Sequence, residues 1–166
     1  MKRIERKVSE SKSVLSRVMM PQDANLAGNV FGGTILKMVD EAAYVAATRH
    51  ARMNIVTASV DRMHFLSPVR IGDLVTLRAN VNAVWHSSME IGVRVEAEDP
   101  RTGEKRHTGS SYLTVVALGP NGRPAEMPGL VLETDEDQRR NREAMRRRAR
   151  RIEERAVEGF GSKRGK

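Results

Sequence analysis

The sequence predicts an α+β domain: an antiparallel sheet wrapped around one long central helix, with a further helix at the C-terminal end. Three observations carry this reading. Residues 34 to 50 repeat apolar side chains at helical spacing, residues 54 to 118 alternate with period two, and residues 134 to 156 are charged but helically patterned.

The long helix comes first because the sheet needs it. Ile35, Met38, Val39, Ala42, Ala43 and Ala46 recur every three or four residues, and so many alanines suit a helix buried on most of its surface. Before it, "SVLSRVMM" reads as a short edge strand and "PQDANLAGN" as a loop. After it, "NIVTASVDRMHF" begins β-branched and alternating, and "SPVRIGD" is a turn. In "LVTLRANVNAVW", Val75, Leu77, Ala79, Val81, Ala83 and Trp85 share one face against Thr76, Arg78, Asn80 and Asn82. In "SMEIGVRVEAE", Met89, Ile91, Val93, Val95 and Ala97 oppose Glu90, Arg94, Glu96 and Glu98, and "HTGSSYLTVVAL" is the last long strand. Strands with one dry and one wet face build an antiparallel sheet, and the alanine-rich helix is what covers the dry side. Thr134 with Asp137 three residues on resembles a capping box and opens the last helix. Its stripe of Met145, Ala149, Ile152 and Ala156 is thin, so that helix docks on the body or on a neighbour, or frays.

Composition narrows the chemistry. There is no cysteine, which removes disulfides and thiolate catalysis and fits a cytoplasmic location. The basic start "MKRIERKVSE" has no apolar segment behind it, and no run is long enough for a membrane span. The formal charge of +8 is local: residues 1 to 137 carry 17 basic and 17 acidic side chains, whereas residues 138 to 166 carry 12 and 4. That basic end has Phe160 as its one aromatic and is interleaved with glutamates, which disfavours a nucleic-acid partner. His50, His64, His86 and His107 lack metal-ligand spacing, so no metal and no cofactor are expected. No GxSxG motif marks a serine nucleophile, and Arg62, His64 and Arg94 read as exposed strand residues.

The segment "GNVFGGTILKMVDEAA" holds the candidate site. On a helical wheel Asp40 lies roughly 130° from the centre of the apolar stripe, with Leu36, Ala43 and Ala47, while Lys37, Glu41 and Thr48 mark the solvated side. Such an aspartate is either an ordinary boundary residue or a general base at the mouth of a cleft, where partial desolvation would tune it. Gly32 and Gly33 at the helix start either allow tight packing or leave N–H groups free to hold a carbonyl and its developing oxyanion. Asn29, in the loop before them, either orients water or substrate or caps the turn.

With "PQDANLAGNVFGGTILKMVDEAAYVAATRH", "NIVTASVDRMHFLSPVRIGD", "HSSMEIGVRVEAEDP" and "LVLETDEDQ" in this order, the chain resembles the hotdog-fold acyl-CoA thioesterases, in particular the cytosolic acyl-CoA hydrolase branch. The resemblance spans residues 12 to 150, which sets a hotdog domain over 13–132 and a charged helix over 133–157; outside it the residues themselves read as a flexible lead over 1–12 and, in "EGFGSKRGK", a disordered tail over 158–166. It implies hydrolysis of acyl-CoA to free acid and CoA in a cleft shared by two subunits of a homo-oligomer, expected as a trimer of dimers. Asp40 would be the catalytic carboxylate, Asn29 would face it from the partner subunit, and the Gly33 amide would polarise the thioester carbonyl. Phe31, Gly32, Ser87 and Ser88 would line the substrate site, although "WHSSMEI" departs from the bacterial pattern and loosens the role of both serines. Two other readings stand beside this one. The substrate would be another acyl thioester, such as an acyl-carrier protein, or the chain would be a non-catalytic binder of acyl-CoA or nucleic acid that uses its basic end.

Overall fold

A computed structural model describes residues 3–157; the expected disordered tail at 158–166 lies outside them. In chain order the elements are β1 (Glu5–Lys7), α1 (Val8–Ser11), β2 (Ser13–Val18), a 3₁₀ turn (Pro21–Asp23), α2 (Gly32–Ala51), β3 (Asn54–Val60), β4 (Leu74–Val84), β5 (Ser88–Glu98), β6 (Lys105–Leu118), β7 (Gly129–Val131) and α3 (Asp135–Val157). Strands β2-β4-β5-β6-β3 form one five-stranded antiparallel sheet in that order, and β1 pairs with β7 in parallel. This is the hotdog architecture: a curved sheet packed on a long central helix, with a C-terminal helix added.

The core forms where the sequence placed it. Met38, Val39, Ala42, Ala43, Ala46 and Ala47 of α2 are buried against Met89, Ile91, Val93, Val95 and Ala97 of β5, together with Leu113, Val115 and Ala117 of β6. Small side chains along α2 let the helix lie close in the curve of the sheet, and long ones such as Met38 and Ile35 fill the remaining gaps. The helix stops at Arg52, which takes a left-handed conformation (φ 52°) and donates its N–H to the Thr48 carbonyl. Its start is earlier than the periodicity indicates. Gly32 and Gly33 form the first turn, because a helix's first residues need no apolar face of their own.

Several expectations need correction. Residues 5–11, read as a flexible lead, form β1 and α1; Val8 and Ser11 are buried, and the Ser11 hydroxyl accepts the Val81 N–H. The strand read through "DRMHF" ends at Val60. The single face assigned to β4 is broken by a bulge between Val81 and Ala83. One extra residue reverses the phase, so Ala83 pairs with Glu90 on the outer face and Trp85 meets α3 there. Asn82 and Glu90, expected in water, are buried at 3% and 0% exposure because α3 lies over them. The C-terminal helix docks, but not by its thin stripe. Met145 and Ile152 stay exposed, and the face with Ala144, Arg147 and Arg151 meets the sheet. The capping box is present: the Asp137 N–H reaches the Thr134 hydroxyl, and the Thr134 N–H reaches the Asp137 carboxylate, each at 3.1 Å.

Candidate active site

The open end of α2 is prepared by the loop before it. Asp23, nearly buried, accepts the Met20 N–H at 2.9 Å and the Arg17 guanidinium at 2.6 Å, and its carbonyl accepts the Phe31 N–H. Asn25 holds the rest of the loop: its Oδ1 accepts the N–H groups of Ala27 (2.9 Å) and Asn29 (3.2 Å), while its own N–H donates to the Asn29 carbonyl. This leaves the Asn25 Nδ2 donors without a partner among the described residues. Asn29 is half-buried and bridges to Arg70 through its backbone.

The two glycines differ in their surroundings. A side chain on Gly32 would meet the Phe65 ring at 3.2 Å, so the ring packs closely on the backbone there. Gly33 has nothing within 4 Å of that position and faces open space. No side chain caps this helix start, and Phe31, at the cap position, presents an exposed ring. The Gly33 N–H therefore sits at an uncapped helix N-terminus with the positive end of the helix dipole behind it.

Asp40 lies on α2 beside the edge strand of the sheet. The Thr57 hydroxyl of β3 donates to its Oδ1 at 2.7 Å, and a bulge between Thr57 and Ser59 bends β3 at this point. Within its own chain Asp40 is exposed, not partly desolvated, and exposed apolar side chains one turn away on the same face of α2 flank it: Leu36 and Tyr44. Seven residues separate Gly33 from Asp40, which is two turns of helix, so they share a face but stand about 10 Å apart along the axis. One reacting carbonyl has to lie roughly 3 Å from both an amide donor and a base or its water. A single chain does not meet that condition with these two groups.

Ser88 stands on the outer face of β5 with Glu90, Gly92 and Arg94, on the opposite side of the sheet from α2. Ser87 lies in the β4–β5 turn, where its carbonyl accepts the Ala117 N–H. Neither serine joins Asp40 within one chain. His50 is buried under the β7 approach, with Nε2 3.1 Å from the Pro128 carbonyl, and burial pushes its pKa below the ordinary imidazole value. Among the described residues no group of three His, Cys, Asp or Glu side chains gathers around a point, and no helix is long and apolar enough to cross a membrane.

Sequence reasoning missed Asn25, Thr57 and Asp23. Asn25 had a local signal, since an asparagine ahead of a glycine-containing turn accepts backbone N–H groups a few residues on, here those of Ala27 and Asn29. Thr57 had none, because its partner lies on another element.

The model of the Thioesterase superfamily matches residues 27–104. An uncharacterized acyl-CoA thioester hydrolase of Bacillus subtilis is 41% identical over 128 residues, covering 77% of this chain and 74% of that protein. The human cytosolic acyl coenzyme A thioester hydrolase is 40% identical over 136 residues, 80% of this chain and 36% of that longer protein. Among solved structures, an apo-hexameric acyl-CoA thioesterase superposes with a TM-score of 0.89 at 34% identity, over 93% of this chain and 99% of that one. An acyl-CoA hydrolase of Staphylococcus aureus, solved with butyryl coenzyme A and coenzyme A, gives 0.83 at 36% identity, over 94% and 98%. Further structures of that hydrolase carry alanine in place of an asparagine, an aspartate and a threonine, spaced fifteen and then seventeen residues apart.

Proposed function

The chain belongs to the hotdog-fold acyl-CoA thioesterase superfamily, and from that premise we propose that it hydrolyses acyl-CoA thioesters to the free acid and CoA. The observation that carries the site is the pairing of an open, uncapped Gly33 amide with a Thr57-held Asp40 on one helix face, too far apart to act on one carbonyl. Two copies remove the difficulty. The Gly33 end of one subunit faces the Asp40 of the other, so a dimer holds two equal sites. The exposed apolar side chains around Asp40 and the unpaired edge of β3 are the surface such a partner would cover. The apo-hexameric relative supports assembly to a hexamer, as three such dimers.

In this reading Asp40 takes a proton from water, and the oxygen adds to the thioester carbon. The carbonyl oxygen gains the negative charge against the partner's Gly33 N–H. Collapse breaks the C–S bond, and the proton held by Asp40 goes to the departing sulfur. Thr57 keeps the carboxylate turned to this task. Burial by the partner supplies the desolvation that one chain lacks. For the asparagine, Asn25 is favoured over Asn29. Asn25, Asp40 and Thr57 have the same spacing as the three positions replaced in the Staphylococcus aureus hydrolase, and Asn25 has its Oδ1 anchored and its Nδ2 free to donate. Phe31 and Gly32 line the approach beside Gly33. Ser88, on the outer face, would reach substrate from a different subunit or not at all.

Asp40→Asn keeps the shape and removes the base. The expected result is a fall in kcat of about 100- to 1000-fold with folding unchanged; turnover near the wild-type rate would sink the assignment. Single turnover in ¹⁸O-water checks the route: label in the product acid on the first turnover supports direct water attack, and label first in Asp40 means an acyl-carboxylate intermediate.

A further inference from the structure

The segment after β3 touches the open end of α2, and its anchors reach back to the C-terminal helix. β3 ends at Val60, and residues 61–66 then run without regular structure past β6. Two backbone bonds hold them there. The Asp61 N–H donates to the Tyr112 carbonyl at 2.8 Å, and the Leu66 N–H to the Thr108 carbonyl at 2.9 Å. Gly109 lets the segment lie close, since a side chain at that position would meet Met63 Cε at 2.8 Å and the His64 carbonyl at 3.0 Å. A third anchor comes from α3: Arg151 pairs with Asp61 at 2.9 Å and with the fully buried Glu90 at 2.8 Å. What this segment delivers is Phe65, whose half-exposed ring lies against the Gly32 backbone.

The start of α2 needs such a neighbour. The Phe31 N–H is taken by the Asp23 carbonyl and the Thr34 N–H by the Phe31 carbonyl. The first-turn donors without a partner among the described residues are therefore those of Gly32 and Gly33. A pair of glycines is also the least restrained backbone with which a helix can begin, and it has no side chain to pack. An amide that polarises a carbonyl has to be held to within about 0.5 Å of its working geometry by the groups around it. We propose that Phe65 is a positioning residue: seated on Gly32 by a segment that Arg151 of α3 pins at Asp61, it clamps the first turn of α2 and so fixes the direction of the Gly33 N–H. The inference rests on the acyl-CoA reading above and adds to it the group that aims the amide. The ring supplies the packing that Gly32 lacks and leaves Gly33 bare for substrate. Through Arg151 and Asp61, α3 then bears on a site that lies on the opposite side of the sheet.

The test is steady-state hydrolysis of acyl-CoA by the intact protein, with kcat and KM read separately, and hydrogen exchange at the start of α2 as a readout that needs no turnover. Phe65→Ala is expected to lower kcat about ten- to hundred-fold at unchanged KM, with faster exchange confined to the first turn of α2. Phe65→Tyr, which keeps the ring, is expected to restore most of the rate. Gly32→Ala pushes the ring aside and should reproduce the loss. Added to Phe65→Ala it should cost nothing further, because the ring it would displace is gone. Asp61→Ala should lower kcat in the same direction by about three-fold; an unchanged rate there overturns the link to α3. Additive losses for Gly32→Ala and Phe65→Ala overturn the proposal, as does an unchanged kcat in Phe65→Ala. A rise in KM at unchanged kcat overturns it too, since Phe65 would then be a substrate contact. Wild-type protein that cleaved no acyl-CoA would refute the hydrolase reading, and the exchange measurement would still decide whether Phe65 holds the start of α2.

Discussion

Two long helices lie on opposite faces of one sheet and are held there by opposite physics. α2 buries nine residues, eight of them apolar plus His50, in the curve of the sheet. α3, three residues longer, buries only Asp137 and Ala144 among its described residues. Its hold is polar: Arg147 and Arg151 on Glu90, Arg140 donating to Asn80, Asn141 donating to the Asn82 carbonyl, and the guanidinium groups of Arg147 and Arg148 over Tyr112 and Trp85 at 3.6 and 4.2 Å. For Arg147, burial pulls the pKa down, and the Glu90 carboxylate outweighs it so that the net direction is up. Burial followed by the charge of Arg151 moves Arg148 down. An apolar face tolerates changes of shape and is read from sequence by its period. A polar clamp depends on a few atoms and fails when one of them is removed.

That contrast sets the order of effects. Glu90→Gln leaves two arginines over a neutral floor and is expected to cost about 3–5 kcal/mol, read in denaturant melts, with α3 cut first in limited proteolysis. Replacing the cluster by apolar residues (Glu90→Met, Arg147→Leu, Arg151→Met) should recover most of that loss; if it does not, the clamp is more than a docking device. Met38→Ala on α2 should cost about 2–5 kcal/mol as a cavity, without selective release of α3. Equal protease sensitivity of α3 in both variants would erase the distinction between the two helices. Thr57→Val removes the hydrogen bond that aims Asp40, and about a ten-fold loss of kcat at unchanged stability is expected. The smallest effect belongs to Arg148→Ala, about 0.5–1 kcal/mol, because a half-exposed guanidinium on a ring contributes little.

The site was partly legible for the same reasons. Asp40 stood out because a carboxylate on the flank of an alanine-rich helix is unexpected, and the glycine pair stood out because helix starts do not need it. The split between them, Gly32 against Phe65 and Gly33 open, was hidden, because Phe65 is remote in sequence and only the folded loop brings it there. Asn29 drew attention by its closeness to the glycines, whereas the side chain that closes the loop belongs to Asn25. Periodicity assumed an unbroken β4, and one inserted residue at the bulge was enough to put Ala83 and Trp85 on the other face.

By itself the sequence determined the architecture, the dry faces of β5 and β6, the presence of α2 as the central helix and the carboxylate on its flank. Each of these follows from local spacing, and spacing survives without knowledge of the partners. Tertiary structure decided the rest: the burial of Glu90, the face by which α3 docks, the Thr57 contact to Asp40 and the seating of Phe65 on Gly32. These are meetings of residues seventeen to ninety positions apart, and no periodic pattern records which distant charges a fold will bring together.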